Sequence, residues 1–181
     1  QHDALLAQVA RLKHRFRTQA ETLVHGDFTC GSVFVGKTSL KVIDAEFAGF
    51  GPHGFDLGIM LGSLMLHYCA AAAKSEPAAK EQQQYLFSQI KQLLISYQEL
   101  LVQQLAQCRD VLLSNPEFQQ QLQQDALKLA VGMAGCEIIR RIYGAFPAAC
   151  LQQLPLAQRP QAQLQALALG QRLILQHSHC T

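Results

Sequence analysis

The stretch that decides the fold is HGDFTCGSVFVGKTSLKVIDAE, residues 25–46 of a chain of 181 residues. Two short runs rich in β-branched residues, 33–35 and 40–43, stand on either side of the turn-forming sequence Gly-Lys-Thr-Ser at 36–39. This pattern is typical of two strands joined by a tight turn, so the sequence predicts a small β-hairpin.

Three carboxylates lie next to this predicted hairpin: Asp27 precedes it, and Asp44 and Glu46 follow it. The hairpin would bring Asp27 and Asp44 to the same end of the structure. In an extended segment, residues two apart point to the same side, so Asp44 and Glu46 should face one way and repel each other unless a cation lies between them. Mg²⁺ is commonly bound by one or two carboxylates together with substrate phosphates. The pattern therefore favours a proton acceptor, Asp27, beside a metal site; the alternatives are a turn-capping Asp and a solvated carboxylate pair.

The rest of the chain is predicted to be almost entirely helical. Apolar residues recur at helical spacing, and Pro and Gly interrupt the pattern. The glycine-rich stretch 49–54 should be irregular. The predicted helices span residues 3–20, 57–73, 79–113, 117–144 and 161–177. The expected fold is mainly α with a small β-hairpin, in a single domain 1–181 whose chemistry lies in 22–58 and whose helical support is 59–181.

Composition narrows the class of partner. The formal net charge is +2, which argues against nucleic acid or an anionic membrane as the main partner. The six cysteines include no CxxC pair, which indicates reduced thiols in a cytoplasmic protein. The apolar segment 57–73 is interrupted by Gly58 and Gly62, so we interpret it as a buried core helix that does not span a membrane.

Other residues are candidates for supporting roles or for binding. Ser32 follows Asp27 by five residues and could supply a weak oxygen ligand or a hydrogen bond within the loop. Asp56 reads as a helix N-cap whose carboxylate could also brace the loop backbone. Arg140 and Arg141 lie on an otherwise apolar helix and could hold a phosphate or sugar hydroxyls. The alternatives for the arginine pair are a solvated face or a salt bridge to the neighbouring Glu at position 137.

Several blocks of sequence resemble the methylthioribose kinase family, within the broader aminoglycoside-phosphotransferase-like kinases. These blocks are LVHGD at 23–27, GSVFV at 31–35, KVIDAEFA at 41–48, GPHGFDLG at 51–58 and CEIIRRI at 136–142. The resemblance implies the C-terminal lobe of a protein-kinase-like α+β fold. It also implies ATP-dependent phosphorylation of the 1-hydroxyl of 5-methylthioribose in methionine salvage, with Mg²⁺, in a cytoplasmic enzyme that is a possible homodimer.

The resemblance also suggests a role for each candidate residue. Asp27 would be the catalytic base, Asp44 and Glu46 would hold Mg²⁺, and Arg140 and Arg141 would bind the sugar. Structural support of the site would come from His25, Ser32 and Asp56.

We expect the nucleotide-clamping N-terminal lobe of such kinases to be absent from these 181 residues, because no strand-rich region precedes residue 22. The chain alone should then be inactive. The alternatives are the C-terminal lobe of a choline-, homoserine- or aminoglycoside-type kinase, or a non-catalytic helical module derived from one.

Overall fold

A computed structural model of the chain describes residues 2–107, 110 and 113–179. The helices are α1 His2–Thr18, α2 Phe55–Ala72, α3 Pro77–Ala106, α4 Pro116–Tyr143, α5 Ala149–Gln152 and α6 Arg159–Gln176. The strands are β1 Thr22–Val24, β2 Val33–Val35, β3 Leu40–Val42 and β4 Gly49–Gly51. The expectation of a mainly helical fold with a small β-hairpin is confirmed.

The strands form two antiparallel pairs. Strands β2 and β3 pair with Val33 opposite Val42, which confirms the predicted hairpin. Strands β1 and β4 pair with Thr22 opposite Gly51, so the prediction of irregular structure throughout 49–54 is wrong for β4. The β1 backbone needs hydrogen-bonding partners beside the buried Val24, and that requirement outweighs the low strand propensity of glycine.

Four of the predicted helices match α1, α2, α4 and α6 to within two residues at each end. The predicted helix 79–113 is α3, but α3 ends at Ala106, where the Gln107 N–H bonds to the Gln104 carbonyl and closes a tighter last turn. Residues 108–109 and 111–112 of that prediction lie outside the described residues. A separate helix, α4, begins at Pro116 because the Asn115 side chain caps it by accepting the Phe118 N–H at 3.0 Å.

Helix α2 lies at the centre of the helical layer, in contact with α3, α4, α5 and α6. Within the described ranges, it is the one helix long and apolar enough to cross a membrane by length and composition, and 56% of that window is buried against the rest of the fold. The interpretation as a core helix is confirmed. Gly62 makes the close packing possible, because a Cβ there would lie 2.8 Å from the Ala134 carbonyl of α4.

Helix α4 packs between α2 and α6. Leu129, Ala130, Ala134 and Ile138 of α4 are completely buried. This packing fixes the C-terminal end of α4, which carries the arginine pair, beside the segment that contains Asp27. The described cysteines Cys30, Cys69, Cys136 and Cys150 are free thiols, as expected; Cys108 and Cys180 lie outside the described residues.

Candidate active site

Asp56 of α2 hydrogen-bonds to the backbone of residues 25–32, which we call the HGD loop. The Asp56 carboxylate accepts the His25 N–H at 2.6 Å and the Gly26 N–H at 3.1 Å. The prediction that Asp56 is the N-cap of its helix is wrong, because Gly54 occupies that position and Asp56 lies in the first turn of α2. The carboxylate is therefore available to the loop, and its predicted bracing role is confirmed.

Ser32 closes the other end of the HGD loop. Its buried hydroxyl donates to the Asp27 carbonyl at 2.8 Å and accepts the Thr29 N–H at 3.3 Å. Thr29 and Ser32 together form a capping box around a short 3₁₀ turn, and the Cys30 N–H donates to the Ser63 hydroxyl of α2 at 3.1 Å. Of the two roles predicted for Ser32, the structure supports the hydrogen bond within the loop, because the hydroxyl is already used to hold the backbone of Asp27.

His25 links the HGD loop to the hairpin. Its Nε2 lies 2.7 Å from the Ile43 carbonyl, and the Ile43 N–H donates to the Ser32 carbonyl at 3.0 Å. Because a carbonyl can only accept, this pattern requires the hydrogen to be on Nε2, and Nδ1 then accepts the Asp27 N–H at 3.4 Å. The backbone of Ile43, immediately before Asp44, is thus tied to the loop on both sides.

Residues 44–47, which we call the DAE turn, follow the hairpin. Asp44 adopts a left-handed conformation with φ 61° and ψ 40°, and residues 45–47 form a 3₁₀ turn. The expectation that Asp44 and Glu46 lie two apart in an extended segment is therefore wrong. Aspartate is among the few residues that tolerate the left-handed region, so the chain can turn sharply here. Both side chains are exposed.

The DAE turn packs directly on the HGD loop at Gly26. Gly26 has φ 91°, and a Cβ at this position would meet the backbone carbonyl of Phe47 and approach the Phe47 Cβ to 2.7 Å. Only glycine satisfies both the positive φ and the close approach. The glycine of the HGD triplet is thus the point where the two acidic segments touch.

Arg140 and Arg141 of α4 reach Asp27, which lies more than a hundred residues earlier in the chain. Arg140 Nη2 lies 2.8 Å from Asp27 Oδ1, while Arg141 Nη2 lies 3.4 Å from Oδ1 and 3.5 Å from Oδ2. The Asp27 side chain is 34% exposed and that of Arg140 is 46% exposed. The carboxylate and the first arginine therefore remain accessible to a ligand.

Glu137 binds both arginines through its carboxylate. Its Oε2 accepts from Arg140 Nε and its Oε1 from Arg141 Nε, both at 2.7 Å. Burial disfavours the charged form of Arg140, but the hydrogen bond and charge of Glu137, followed by those of Asp27, raise the pKa of Arg140 above its ordinary value. From the sequence, a salt bridge to Glu137 is an alternative to a role of the arginines in the site. In the structure the arginines contact both Glu137 and Asp27.

A cleft of about 900 Å³ runs past these residues. Its polar lining residues are Asp27, Glu46, Glu137 and the two arginines, and its apolar lining residues include Phe16, Phe47, Phe55, Ile59, Met133 and Phe146. Cys136 also lines the cleft, but burial, followed by the charge of Glu137, raises the pKa of its thiol to about 11. That thiol is protonated at neutral pH, so it does not provide a thiolate nucleophile.

The structure thus brings Asp27, Glu46, Arg140 and Arg141 to one cleft. Asp44 is not among the residues that line it and lies two residues after the end of β3, directly after the fixed backbone of Ile43. Two exposed carboxylates fit the chemistry of Mg²⁺, which typically takes one or two carboxylates and completes its shell with phosphates and water. Glu137 was missed as a site residue, although its spacing of three and four from the arginines was a readable signal.

Comparisons with known proteins show which family this chain resembles. The sequence model of the phosphotransferase enzyme family (APH) matches residues 1–93, about half of the chain. That range contains the HGD loop, the hairpin, the DAE turn and α2.

Curated relatives match the chain along nearly its full length. The methylthioribose kinase of Erwinia tasmaniensis is 39% identical over 178 residues, covering 97% of this chain and 45% of the relative. That of Yersinia pestis is 40% identical over 184 residues, covering 99% of this chain and 45% of the relative. The Yersinia enterocolitica enzyme is 39% identical, again with 45% of the relative covered. The chain therefore spans a little under half the length of these relatives.

Proposed function

Because the chain belongs to the phosphotransferase enzyme family, we propose that it supplies the catalytic loop and the acceptor-binding helix of an ATP-dependent sugar kinase. One observation carries this proposal: the Asp27 carboxylate lies on an open cleft, paired at 2.8 Å with an arginine from a distant helix. In phosphoryl transfer the protein mainly positions groups and stabilises charge. In this proposal Asp27 positions the acceptor hydroxyl and Arg140 stabilises negative charge.

Asp27 acts in this proposal as the proton acceptor. The acceptor hydroxyl transfers its proton to the Asp27 carboxylate as its oxygen bonds to the γ-phosphorus of ATP. The bond between that phosphorus and the β–γ bridging oxygen breaks, and ADP leaves with the electron pair. Asp56 holds the backbone of the two residues before Asp27 and Ser32 holds the Asp27 carbonyl before the substrate arrives, so little reorganisation is needed during the reaction.

Arg140 and Arg141 bind the acceptor in this proposal. The Nη groups of a guanidinium can donate to sugar hydroxyls, and the two arginines would place positive charge next to the reacting oxygen. Arg140, the more exposed of the two, would exchange its bond to Asp27 for bonds to the sugar. Binding would thereby release the carboxylate for its role as proton acceptor.

Asp44 and Glu46 would hold Mg²⁺. The ion would neutralise charge on the nucleotide phosphates when bound. The contribution of the chain is to fix the start of the DAE turn through Ile43 and to pack Phe47 on Gly26. Those two contacts hold the DAE turn against the HGD loop, which supports this assignment.

We propose 5-methylthioribose as the acceptor, phosphorylated at its 1-hydroxyl in methionine salvage. The relatives at about 40% identity are named methylthioribose kinases, and they match through the arginine helix as well as the acidic segments. The aromatic and methionine side chains of the cleft could bury a methylthio group, while its charged residues would hold the ribose. A cytoplasmic location and a homodimer belong to the same proposal.

A substrate panel tests this function. The full-length protein that contains this chain is assayed for ADP formation with ATP and Mg²⁺, using methylthioribose, choline, homoserine and an aminoglycoside as acceptors. We expect methylthioribose to give the highest kcat/KM. Preferential turnover of another acceptor would reject the sugar assignment, and no turnover with any acceptor would favour a non-catalytic module.

A further inference from the structure

We infer that Glu137 is a positioning residue: its single buried carboxylate sets the direction of both arginines and thereby the affinity of the site for the sugar. This inference rests on the proposed function, because the sugar is the ligand that the arginines are proposed to bind. Glu137 does not need to touch the substrate. It acts through Arg140 and Arg141.

The hydrogen-bond geometry gives Glu137 control over both side chains at once. Each carboxylate oxygen accepts from the Nε of a different arginine, at 2.7 Å in both cases. The Nε–H is the donor nearest the aliphatic stem, so a bond there fixes the rotation of the whole guanidinium plane. With each Nε–H held by Glu137, the Nη2 group of Arg140 meets Asp27 at 2.8 Å and that of Arg141 approaches the same carboxylate at 3.4 Å.

Burial makes this control rigid. The Glu137 side chain is 1% exposed, whereas that of Arg141 is 18% exposed and that of Arg140 is 46% exposed. Gly62 of α2 leaves the room for it, since a Cβ there would lie 2.9 Å from the Glu137 Cβ and 3.0 Å from its Cγ. The carboxylate therefore cannot swing out to follow a moving arginine.

Charge balance gives Glu137 a second effect on Asp27. Two guanidinium groups and two carboxylates form a cluster with no net formal charge. Glu137 competes with Asp27 for the arginines and leaves Arg141 only loosely associated with Asp27, at 3.4 Å. Without that competition, both cations would close on Asp27, and the sugar would have to displace both of them instead of Arg140 alone.

A contribution to folding stability does not by itself explain a glutamate at position 137. A buried ion pair is often no more stabilising than apolar side chains of similar volume, and the surrounding faces of α2 and α4 are apolar. The buried carboxylate of Glu137 is better explained by its orientation of Arg140 and Arg141.

The test compares Glu137→Gln with Glu117→Gln in the full-length enzyme. Glutamine keeps one acceptor oxygen but presents an NH₂ group to the other arginine Nε–H, so it can hold only one of the two guanidinium groups. Glu117 lies on the same helix, in its exposed first turn, and serves as the matched control. Glu137→Gln should raise the sugar KM by about 10- to 100-fold and leave the KM for ATP unchanged. Glu117→Gln should change neither.

A double-mutant cycle separates positioning from a general structural role. If Glu137 acts through the arginine, Glu137→Gln should add little to the rise in sugar KM already caused by Arg140→Ala. Effects that multiply, or an equal rise in the KM for ATP, would overturn the inference. Glu137→Asp keeps the charge but withdraws it by one methylene, and it should give a smaller rise in the same direction if the Gln variant fails to fold.

A second readout does not depend on catalysis. Hydrogen exchange of arginine Nε–H groups, followed by ¹⁵N NMR, should show slow exchange for Arg140 and Arg141, with at least one becoming fast in Glu137→Gln. Fast exchange of both in the unsubstituted protein, or no change in the variant, would contradict the role of Glu137. If methylthioribose is not turned over while the exchange behaves as expected, the proposed function fails and the positioning geometry stands.

Discussion

The two acidic segments of the cleft are held in different ways. The HGD loop is fixed by side chains from α2 and from within itself, through Asp56, Ser63 and Ser32. The DAE turn is fixed through the backbone of Ile43, which directly precedes it, and through the contact of Phe47 with Gly26, while its two carboxylates remain exposed.

This difference matches the two kinds of chemistry proposed for them. A proton acceptor must already point in the right direction when the substrate binds, so fixing it in advance lowers the barrier. Carboxylates that meet a metal need to be accessible, and the ion itself completes their arrangement. Substitutions in the two segments should therefore separate effects on folding from effects on metal use.

The largest effect on stability is expected at the contact between the two segments. Gly26→Ala forces a side chain into a positive φ and against the Phe47 backbone, so it should lower the free energy of unfolding by about 3 kcal/mol. Gly49→Ala is the matched control, because a Cβ there meets nothing within 4 Å. Urea unfolding of both variants checks this. Equal stability of the two would show that the segments are not in contact.

A smaller loss is expected from the brace of the HGD loop. Asp56→Asn leaves one acceptor oxygen for two backbone N–H groups and should cost about 2 kcal/mol in thermal or urea unfolding. Asp3→Asn changes a carboxylate in the first turn of another helix and controls for the helix dipole. A loss no larger than that of Asp3→Asn would remove Asp56 from the support of the loop.

The smallest effect on stability is expected in the DAE turn. Asp44→Asn and Glu46→Gln alter exposed side chains and should change the free energy of unfolding by less than about 0.5 kcal/mol. The same variants should raise the Mg²⁺ concentration needed for half-maximal activity in the full-length enzyme. An unaltered Mg²⁺ dependence in both would place the metal elsewhere.

Much of the fold follows from local sequence patterns. Asn115-Pro116 and Gly144 set the ends of α4, and the Gly-Lys-Thr-Ser turn sets the hairpin, because capping and turn chemistry act over a few residues. The pairing of β4 with β1 did not follow, since it joins residues far apart in the chain and two of the three β4 residues are glycine.

The site was predictable in its residues and less so in its geometry. Asp27 and Arg140 are separated by more than a hundred residues, so no spacing rule brings them together; only the resemblance joined them. The left-handed backbone of Asp44 precedes a 3₁₀ turn whose Phe47 packs against Gly26, and the sequence displays neither feature. Asp56 resembled a cap because it stands near the start of a helix, yet the helix begins two residues earlier than predicted, which frees the Asp56 carboxylate for the loop.

The central claim is that the fixed carboxylate of Asp27 accepts the proton of the acceptor hydroxyl. Asparagine at this position keeps an oxygen that can bind Arg140 but has no carboxylate to take up a proton. In the full-length enzyme, Asp27→Asn should lower kcat by about 10²- to 10⁴-fold and leave the sugar KM nearly unchanged. A kcat equal to that of the unsubstituted enzyme would contradict the claim.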